Sequence, residues 1–162
     1  MSPPPAAGEP PRATHAPLPW SSPGILVGTD GSEPSRAALE YAVGIAPKLG
    51  LPVHALAVWD RPAPLWGDAY IFYGEGIEDS EEEARALVTT EVHRLCPSGP
   101  PEWLTAGVWR GTSARMLVEA SSDAAMLVVG NRGRGGFEGL LLGSVSRACA
   151  RHAHCPVLVV RT

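Results

Sequence analysis

Hydrophobic residues in this chain cluster in five short runs, and segments with helical spacing fill the gaps between them. Apolar runs with little polar alternation are typical of strands that are buried on both faces. Such strands occur in parallel sheets, where helices make the connections. The predicted strands are residues 24–28, 51–59, 102–109, 126–129 and 157–160.

The first two helices are predicted from their N-terminal residues. Ser32 is suited to the N-cap of a helix that repeats apolar residues as far as Leu49, although Pro47 predicts a kink or an early end in the last turn. The second helix begins in the acidic run 79–83. Acids complement the positive end of a helix, so this run is interpreted as a solvated first turn rather than a metal site.

The last two helices are shorter. One is capped by Thr112 and runs to Ala120. The other opens at Ser144, and Val145, Ala148, Cys149 and His152 share one of its faces. Strands that alternate with helices predict an α/β fold in a single domain, with a five-stranded parallel sheet that carries helices on both faces, a Rossmann-like arrangement.

Two segments stand apart from this alternation. Residues 1–23 are rich in proline and lack hydrophobic periodicity, which predicts a disordered or extended arm, with Trp20 packed on the domain that follows at 24–162. A role of the arm as a proline-rich ligand is the alternative. Residues 60–77 form a long predicted loop, and loops of that length are usually functional or mobile.

Glycines crowd the segment between the fourth strand and the last helix. The order strand, glycine-rich loop, helix N-terminus is suited to anions, because the first amides of a helix lack internal partners and carry partial positive charge. We therefore interpret the segment as a phosphate cradle, which indicates a nucleotide. The glycines are Gly130, Gly133, Gly135, Gly136, Gly139 and Gly143.

The spacing of these glycines excludes the two commonest phosphate loops. A P-loop requires a lysine, and the only lysine of the chain is the distant Lys48. The Rossmann fingerprint Gly-x-Gly-x-x-Gly is also absent from this loop. The pattern present is Gly130-x-x-Gly133, nine residues, and then Gly143-Ser144.

That pattern resembles the nucleotide-binding motif of the universal stress protein family. The resemblance covers residues 24–161, and the pieces that carry it are ILVGTDGSEPSRAALEYA, LAVWDRP, GVWRGTSARMLVEAS, MLVVGNRGRGGFEGLLLGSVS and HCPVLVVR. It implies an adenine nucleotide alpha hydrolase-like fold and, for the ATP-binding branch, ATP with Mg²⁺. It also implies a homodimer that pairs through its last strand, residues 157–160.

Site residues follow from the resemblance and from the fold. Ligands of open parallel sheets bind at the carboxyl ends of the strands, where Asp30 and Val58 lie. By resemblance Asp30 contacts ribose, the main chain of Val58 meets adenine, and the phosphates and ribose are lined by Gly130, Gly133, Gly143, Ser144 and Val145. Arg132, with Arg134, either neutralises phosphate charge or faces solvent. Asn131 stands where the family more often has serine.

Each of these features also has a structural interpretation. In this alternative, the sole role of Asp30 is to cap the first helix, and the glycines form tight turns with no ligand bound. Cys149, His152, His154 and Cys155 suggest zinc, but their positions on a helix and before a strand do not favour a tetrahedral centre. Three cysteines give no disulfide framework, which fits a reducing cytoplasm. His54, within a strand, is interpreted as a packed or edge residue rather than a catalytic one.

The composition narrows the class of function. A formal charge of −4 does not favour a nucleic-acid partner, and no apolar run approaches the roughly 20 residues that span a bilayer. The leading hypothesis is an ATP-binding stress-response or signalling module without catalytic residues. The alternatives are a slow ATPase that uses Asp30 and Ser144, and a protein with a vestigial site that recruits an unknown signalling partner.

Overall fold

The fold is built on a five-stranded parallel sheet with the strand order β5-β2-β1-β6-β7. The computed structural model describes residues 17–20, 22–60, 63–64, 70–71, 80–135, 139 and 141–162. The strands are β1 (Ile25–Gly28), β2 (Val53–Trp59), β3 (Ala63–Pro64), β4 (Tyr70–Ile71), β5 (Leu104–Arg110), β6 (Met126–Gly130) and β7 (Val157–Val160). The helices are α1 (Glu33–Leu49), α2 (Glu81–Leu95), α3 (Ser113–Ala120) and α4 (Ser144–His152), with a 3₁₀ turn at Ser121–Asp123.

The direction of winding reverses at the centre of the sheet. From β1 the chain passes outward through β2 to β5, and it then crosses back to β6 on the other side of β1 before it reaches β7. All four pairings within this sheet are parallel. The carboxyl ends of β1 and β6 therefore form a switch point, which is where open α/β sheets bind ligands.

Side chains of successive strand residues enter two separate core layers. Ile25 and Val27 of β1 pack in the layer that holds the apolar faces of α1 and α2, whereas Leu26 packs in the layer that holds α3 and α4. The same alternation holds along β2 and β6 because strand side chains point to opposite faces with period two. The predicted parallel sheet with helices on both faces is confirmed.

The element bounds differ from the predicted ones at a few positions. Helix α1 continues to Leu49 and ends at Gly50 in the left-handed conformation, at φ 64°, because Pro47 removes only one backbone donor from the last turn. Strand β5 begins at Leu104 rather than at 102. Thr112 occupies the N-cap position of α3 without a side-chain hydrogen bond, and His152 is exposed in the last turn of α4.

The long segment predicted as a loop contains a small hairpin, and the end of the predicted arm packs on the domain. Strands β3 and β4 pair antiparallel within residues 60–77. The other positions from 61 to 77 lie outside the described residues, and so do residues 1–16 and 21. Leu18 is buried in the α3 and α4 layer. The indole Nε1 of Trp20 donates to the carbonyl of Asp123 at 3.0 Å, which agrees with the predicted attachment of this tryptophan.

His54 is a packed residue of β2. Only 4% of it is exposed, its Nδ1 lies 2.8 Å from Thr105 Oγ1, and its ring meets that of Trp20 edge-on at 5.8 Å. Burial lowers the pKa of His54 to about 4 because the charged imidazolium loses its hydration. The imidazole is therefore neutral in the folded protein at neutral pH, in agreement with its predicted structural role.

This burial predicts that acid destabilises the fold through His54. The unfolded histidine titrates near its ordinary pKa of 6.5, so the stabilisation is complete above that pH and is lost as the pH falls toward 4, by up to about 3 kcal/mol. Urea unfolding at intervals between pH 7 and pH 4 measures the loss. In His54→Leu the curve should flatten over this window, whereas His93→Leu, at an exposed site on α2, should keep the wild-type curve.

Candidate functional site

Asp30 connects the two loops at the switch point. Its Oδ1 accepts a hydrogen bond from the backbone amide of Ser32 at 3.0 Å, and its Oδ2 accepts one from the backbone amide of Arg134 at 3.0 Å. The N-cap of α1 is Ser32, whose hydroxyl accepts from the amide of Ser35. Asp30 is therefore not the cap. It joins the turn after β1 to the glycine loop after β6.

Two of the glycines are required by close contacts. A Cβ at Gly130 would lie 2.5 Å from the backbone carbon of Pro34, so this glycine lets the first turn of α1 approach β6. A Cβ at Gly133 would lie 2.6 Å from Asp30 Oδ2. Neither residue has a positive φ angle, so steric space rather than backbone conformation selects glycine here.

Asn131 closes the neck of the glycine loop. Its carbonyl accepts hydrogen bonds from the amide of Gly143 and the hydroxyl of Ser146, both at 2.8 Å. Its amide donates to the carbonyl of Val160 at 2.8 Å. These bonds hold the ends of β6 and β7 against the start of α4. The Gly143 amide is therefore already hydrogen-bonded within the protein. The amides of Ser144 and Val145 are the ones at the N-terminus of α4 that can face a ligand.

The main chain of Val58 faces the space beyond β1. The pairing of β1 with β2 ends at Gly28 and Leu56, and the amide of Thr29 donates to the Leu56 carbonyl at 3.0 Å. In a parallel pair the backbone groups of alternate residues face the same neighbour. Val58, two residues further along, directs its amide and carbonyl to the same side as Leu56, where β1 has already ended.

Two of the predicted site residues, Asp30 and Arg132, line different cavities. Asp30 lines a cavity of about 350 Å³ together with Arg36 and Glu91 from the α1 and α2 face. Arg132 lines another of about 340 Å³, beside the end of β7. The structure brings Asp30 and Gly133 into contact and places Gly143 at the neck below Ser144, but it does not gather all eight predicted residues in one enclosed cavity.

An ion pair between a buried glutamate and a half-exposed arginine, which lines the same cavity as Asp30, was not identified from the sequence. The side chain of Glu91 is 4% exposed and accepts three hydrogen bonds from Arg36, at 2.9 to 3.0 Å, and one from Arg94 at 3.3 Å. The hydrogen bond to Glu91 raises the pKa of Arg36 above its ordinary value. The sequence did contain a sign that Glu91 is buried, because Glu91 occupies an inward position in the apolar spacing of α2.

The residues that suggested zinc do not converge. Cys149 is fully buried in the α3 and α4 layer, and burial raises the pKa of its thiol to about 11. Burial also raises the pKa of Cys155. Among the residues that the structure describes, no three histidine, cysteine or acidic side chains are grouped as a metal site would require.

A parallel α/β sheet with a glycine loop at its switch point defines a class of proteins that hold ligands at the carboxyl edge. Within that class, the model of the Universal stress protein family matches residues 24–161. The chain belongs to the universal stress protein family. It is 37% identical over 143 residues to a universal stress protein of Mycolicibacterium smegmatis, with 85% of this chain and 45% of that protein covered.

Other relatives agree with this assignment. A universal stress protein of Mycobacterium tuberculosis is 33% identical over 147 residues, which cover 90% of this chain and 47% of the relative. The chain therefore spans a little under half the length of these curated relatives. Within the described part of the chain, no helix is both long and apolar enough to cross a membrane.

Solved structures support the same fold. A universal stress protein described as a complex with cAMP is 26% identical, has a TM-score of 0.61, and covers 87% of this chain and 98% of its own. A universal stress protein from Lactobacillus plantarum is 21% identical with a TM-score of 0.62, covering 86% of this chain and 97% of its own, and it supports the fold alone.

Proposed function

We propose that this chain binds an adenine nucleotide, preferentially ATP with Mg²⁺, and acts as a stress-response module that signals by its nucleotide occupancy. The observation that carries the proposal is the contact of Asp30 with the glycine loop at the switch point. This contact joins Asp30, the residue proposed to bind ribose, to the loop proposed to bind phosphate. The relative described as a cAMP complex adds support, because its ligand is also an adenine nucleotide.

Each part of the nucleotide has a candidate partner. Asp30 uses each carboxylate oxygen for one amide, which leaves acceptor capacity for a ribose hydroxyl. The open amide and carbonyl of Val58 provide a donor and an acceptor for the edge of adenine. The amides of Ser144 and Val145 provide the anion site for phosphate, with Gly133 giving a close approach and Arg132 contributing charge.

The residues at this edge fit a binding module better than an enzyme. The P-loop NTPases use a lysine beside the phosphates for phosphoryl transfer, and Lys48, the only lysine of the sequence, lies at the far end of α1. Mg²⁺ would arrive bound to the nucleotide phosphates, where it neutralises their charge, and the exposed hydroxyl of Ser144 is suited to a position beside it. Ligand occupancy, rather than turnover, is the proposed output.

The outer edge of β7 is the proposed contact with a second copy of the chain. β7 ends the strand order, so among the described strands only β6 pairs with it. Its four residues are apolar and half-buried. An apolar edge strand of this kind is an aggregation risk unless another strand or element covers it. Sedimentation velocity, which separates the 17.0 kDa chain from a pair, tests this part.

The nucleotide proposal predicts that Asp30→Ala weakens ATP binding by at least about tenfold, because a charge-assisted hydrogen bond to ribose is lost. The purified protein is first denatured and the released nucleotides are identified. ATP, ADP and AMP are then titrated calorimetrically with and without Mg²⁺. Asp123→Ala removes an exposed acid that precedes β6 and should bind as the wild type does. Wild-type protein without saturable binding of any adenine nucleotide would exclude the proposal.

A further inference from the structure

Ser146 joins the two ends of the glycine loop. Only 3% of this residue is exposed, and its hydroxyl group donates to the carbonyl of Asn131 at 2.8 Å, with a longer contact to the carbonyl of Gly143 at 3.2 Å. The Gly143 carbonyl already accepts from the amide of Arg147 at 3.0 Å, the first bond of α4. Because a hydroxyl group has one hydrogen to donate, that of Ser146 goes mainly to Asn131. It therefore ties the first turn of α4 to the residue that follows β6.

Helix α4 needs this tie because its N-cap has no side chain. The cap is Gly143, whereas α1 and α2 follow Ser32 and Ser80, whose hydroxyl groups accept from the amide three residues further on. A capping serine uses one of the first amides of a helix, and a glycine leaves those amides to a ligand. Ser146 anchors the first turn of α4 by donating from its side chain, so the bond to Asn131 uses no amide of that turn.

The bond from Ser146 fixes where the N-terminus of α4 lies relative to the glycine loop. The carbonyl of Asn131 accepts from the amide of Gly143 and from the hydroxyl group of Ser146, both at 2.8 Å, which uses both lone pairs of the carbonyl oxygen. A Cβ at Gly143 would lie 3.4 Å from the Cα of Arg132, so the two ends of the loop are packed backbone against backbone. Without the hydroxyl group, only the Gly143 amide would bond this carbonyl to the start of α4.

We propose that Ser146 is a positioning residue for the phosphates of the nucleotide, an inference that rests on the function proposed above. Its hydroxyl group is buried and already bonded, so it holds the amides of Ser144 and Val145 in place rather than contacting the ligand. A protein that is arranged for binding in only a fraction of its molecules binds more weakly by that fraction. Asp30 and Val58, proposed for ribose and adenine, are held by β1 and β2 rather than by this bond. Loss of the hydroxyl group should therefore weaken the binding of phosphates and spare that of the nucleoside.

The test compares ATP with adenosine, which shares every proposed contact except those of the phosphates. In Ser146→Ala, ATP with Mg²⁺ should bind about tenfold more weakly, the effect of one hydrogen bond, whereas the affinity for adenosine should stay within about twofold. Calorimetry measures the binding of ATP, and an NMR titration measures the weaker binding of adenosine. Hydrogen exchange gives a second readout: the amide of Gly143 should exchange faster in Ser146→Ala, because it shares the Asn131 carbonyl with the lost hydroxyl group.

The matched control is Ser121→Ala. Ser121 is also fully buried, and its hydroxyl group donates to the carbonyl of Val118 at 2.6 Å and accepts from the amide of His154 at 2.8 Å. It lies in the 3₁₀ turn that precedes β6, at the amino edge of the sheet. This variant loses a bridge of the same kind, so it should lose comparable stability in urea and keep the wild-type ratio of ATP affinity to adenosine affinity.

The outcomes separate this inference from the proposed function. If the wild-type protein binds ATP but Ser146→Ala weakens ATP and adenosine equally, leaves ATP affinity unchanged, or leaves the exchange of the Gly143 amide unchanged, the positioning role is overturned and nucleotide binding stands. A wild-type protein that binds no adenine nucleotide would overturn both. Ser146→Cys keeps a side chain of similar shape with a weaker donor and should show the same selective loss. The test therefore does not depend on the folding of Ser146→Ala.

Discussion

Replacing Gly133 with alanine is expected to weaken ATP binding by about 10- to 100-fold while the protein remains folded. The new Cβ would lie 2.6 Å from Asp30 Oδ2, closer than two such atoms approach in proteins. The carboxylate cannot simply turn aside, because the amides of Ser32 and Arg134 hold both of its oxygens. It must therefore leave the position proposed for ribose. Calorimetric titration with ATP and Mg²⁺ measures the loss.

The matched control for this variant is Gly44→Ala. Gly44 is an exposed residue of α1, and a Cβ there would meet no other atom within 4 Å. This variant should bind ATP as the wild type does, and it should unfold at a slightly higher urea concentration because alanine is the better helix former. If Gly133→Ala bound ATP with wild-type affinity, the contact between Asp30 and the glycine loop would have no part in nucleotide binding.

Removing the partner of a buried carboxylate is expected to have the largest effect on stability. Arg36→Ala should lower the free energy of unfolding clearly more than the loss of an exposed ion pair does, because Glu91 would remain buried with only the longer hydrogen bond from Arg94. The Arg36 guanidinium joins α1 to α2 across the cavity that Asp30 lines. Urea denaturation at pH 7 measures the change.

Two further variants test the cause of this effect. Arg85→Ala breaks the ion pair with Glu81, in which both side chains are more than half exposed, and it should cost less than about 0.5 kcal/mol. Adding Glu91→Leu to Arg36→Ala removes the unpaired buried charge and should recover much of the lost stability. A double variant as unstable as Arg36→Ala alone would show that packing, and not charge, accounts for the effect.

The local elements were predictable because their causes are local. The hydroxyl of Ser32 accepts a hydrogen bond from Ser35 within a single turn, so the sequence identifies the start of α1. The buried runs identify all five strands of the main sheet to within two residues, and β7 was placed at its observed bounds. The early end of α1 predicted from Pro47 was wrong because a proline in the last turn of a helix costs little free energy.

The sequence could propose residues for the candidate site but could not predict the contacts between them. The sequence singled out Asp30 and Gly133, yet nothing in their spacing indicated that one excludes a side chain from the other. Gly130 was predicted to line a ligand, and its spacing gave no sign of the close contact with Pro34 that the structure adds. The role of Glu91 depends on Arg36 from another helix, and no periodicity within α2 could reveal that partner.

The sequence by itself determined the strands, the helices, the glycine loop and the resemblance to universal stress proteins, because these depend on residue types at short and regular spacing. Only the tertiary structure decided that Asp30 holds the glycine loop and that Asn131 closes its neck with an acceptor left over. Those contacts arise because the crossover places β6 beside β1. Residues about a hundred positions apart then meet at one edge of the sheet, as the bond from Arg134 to Asp30 does.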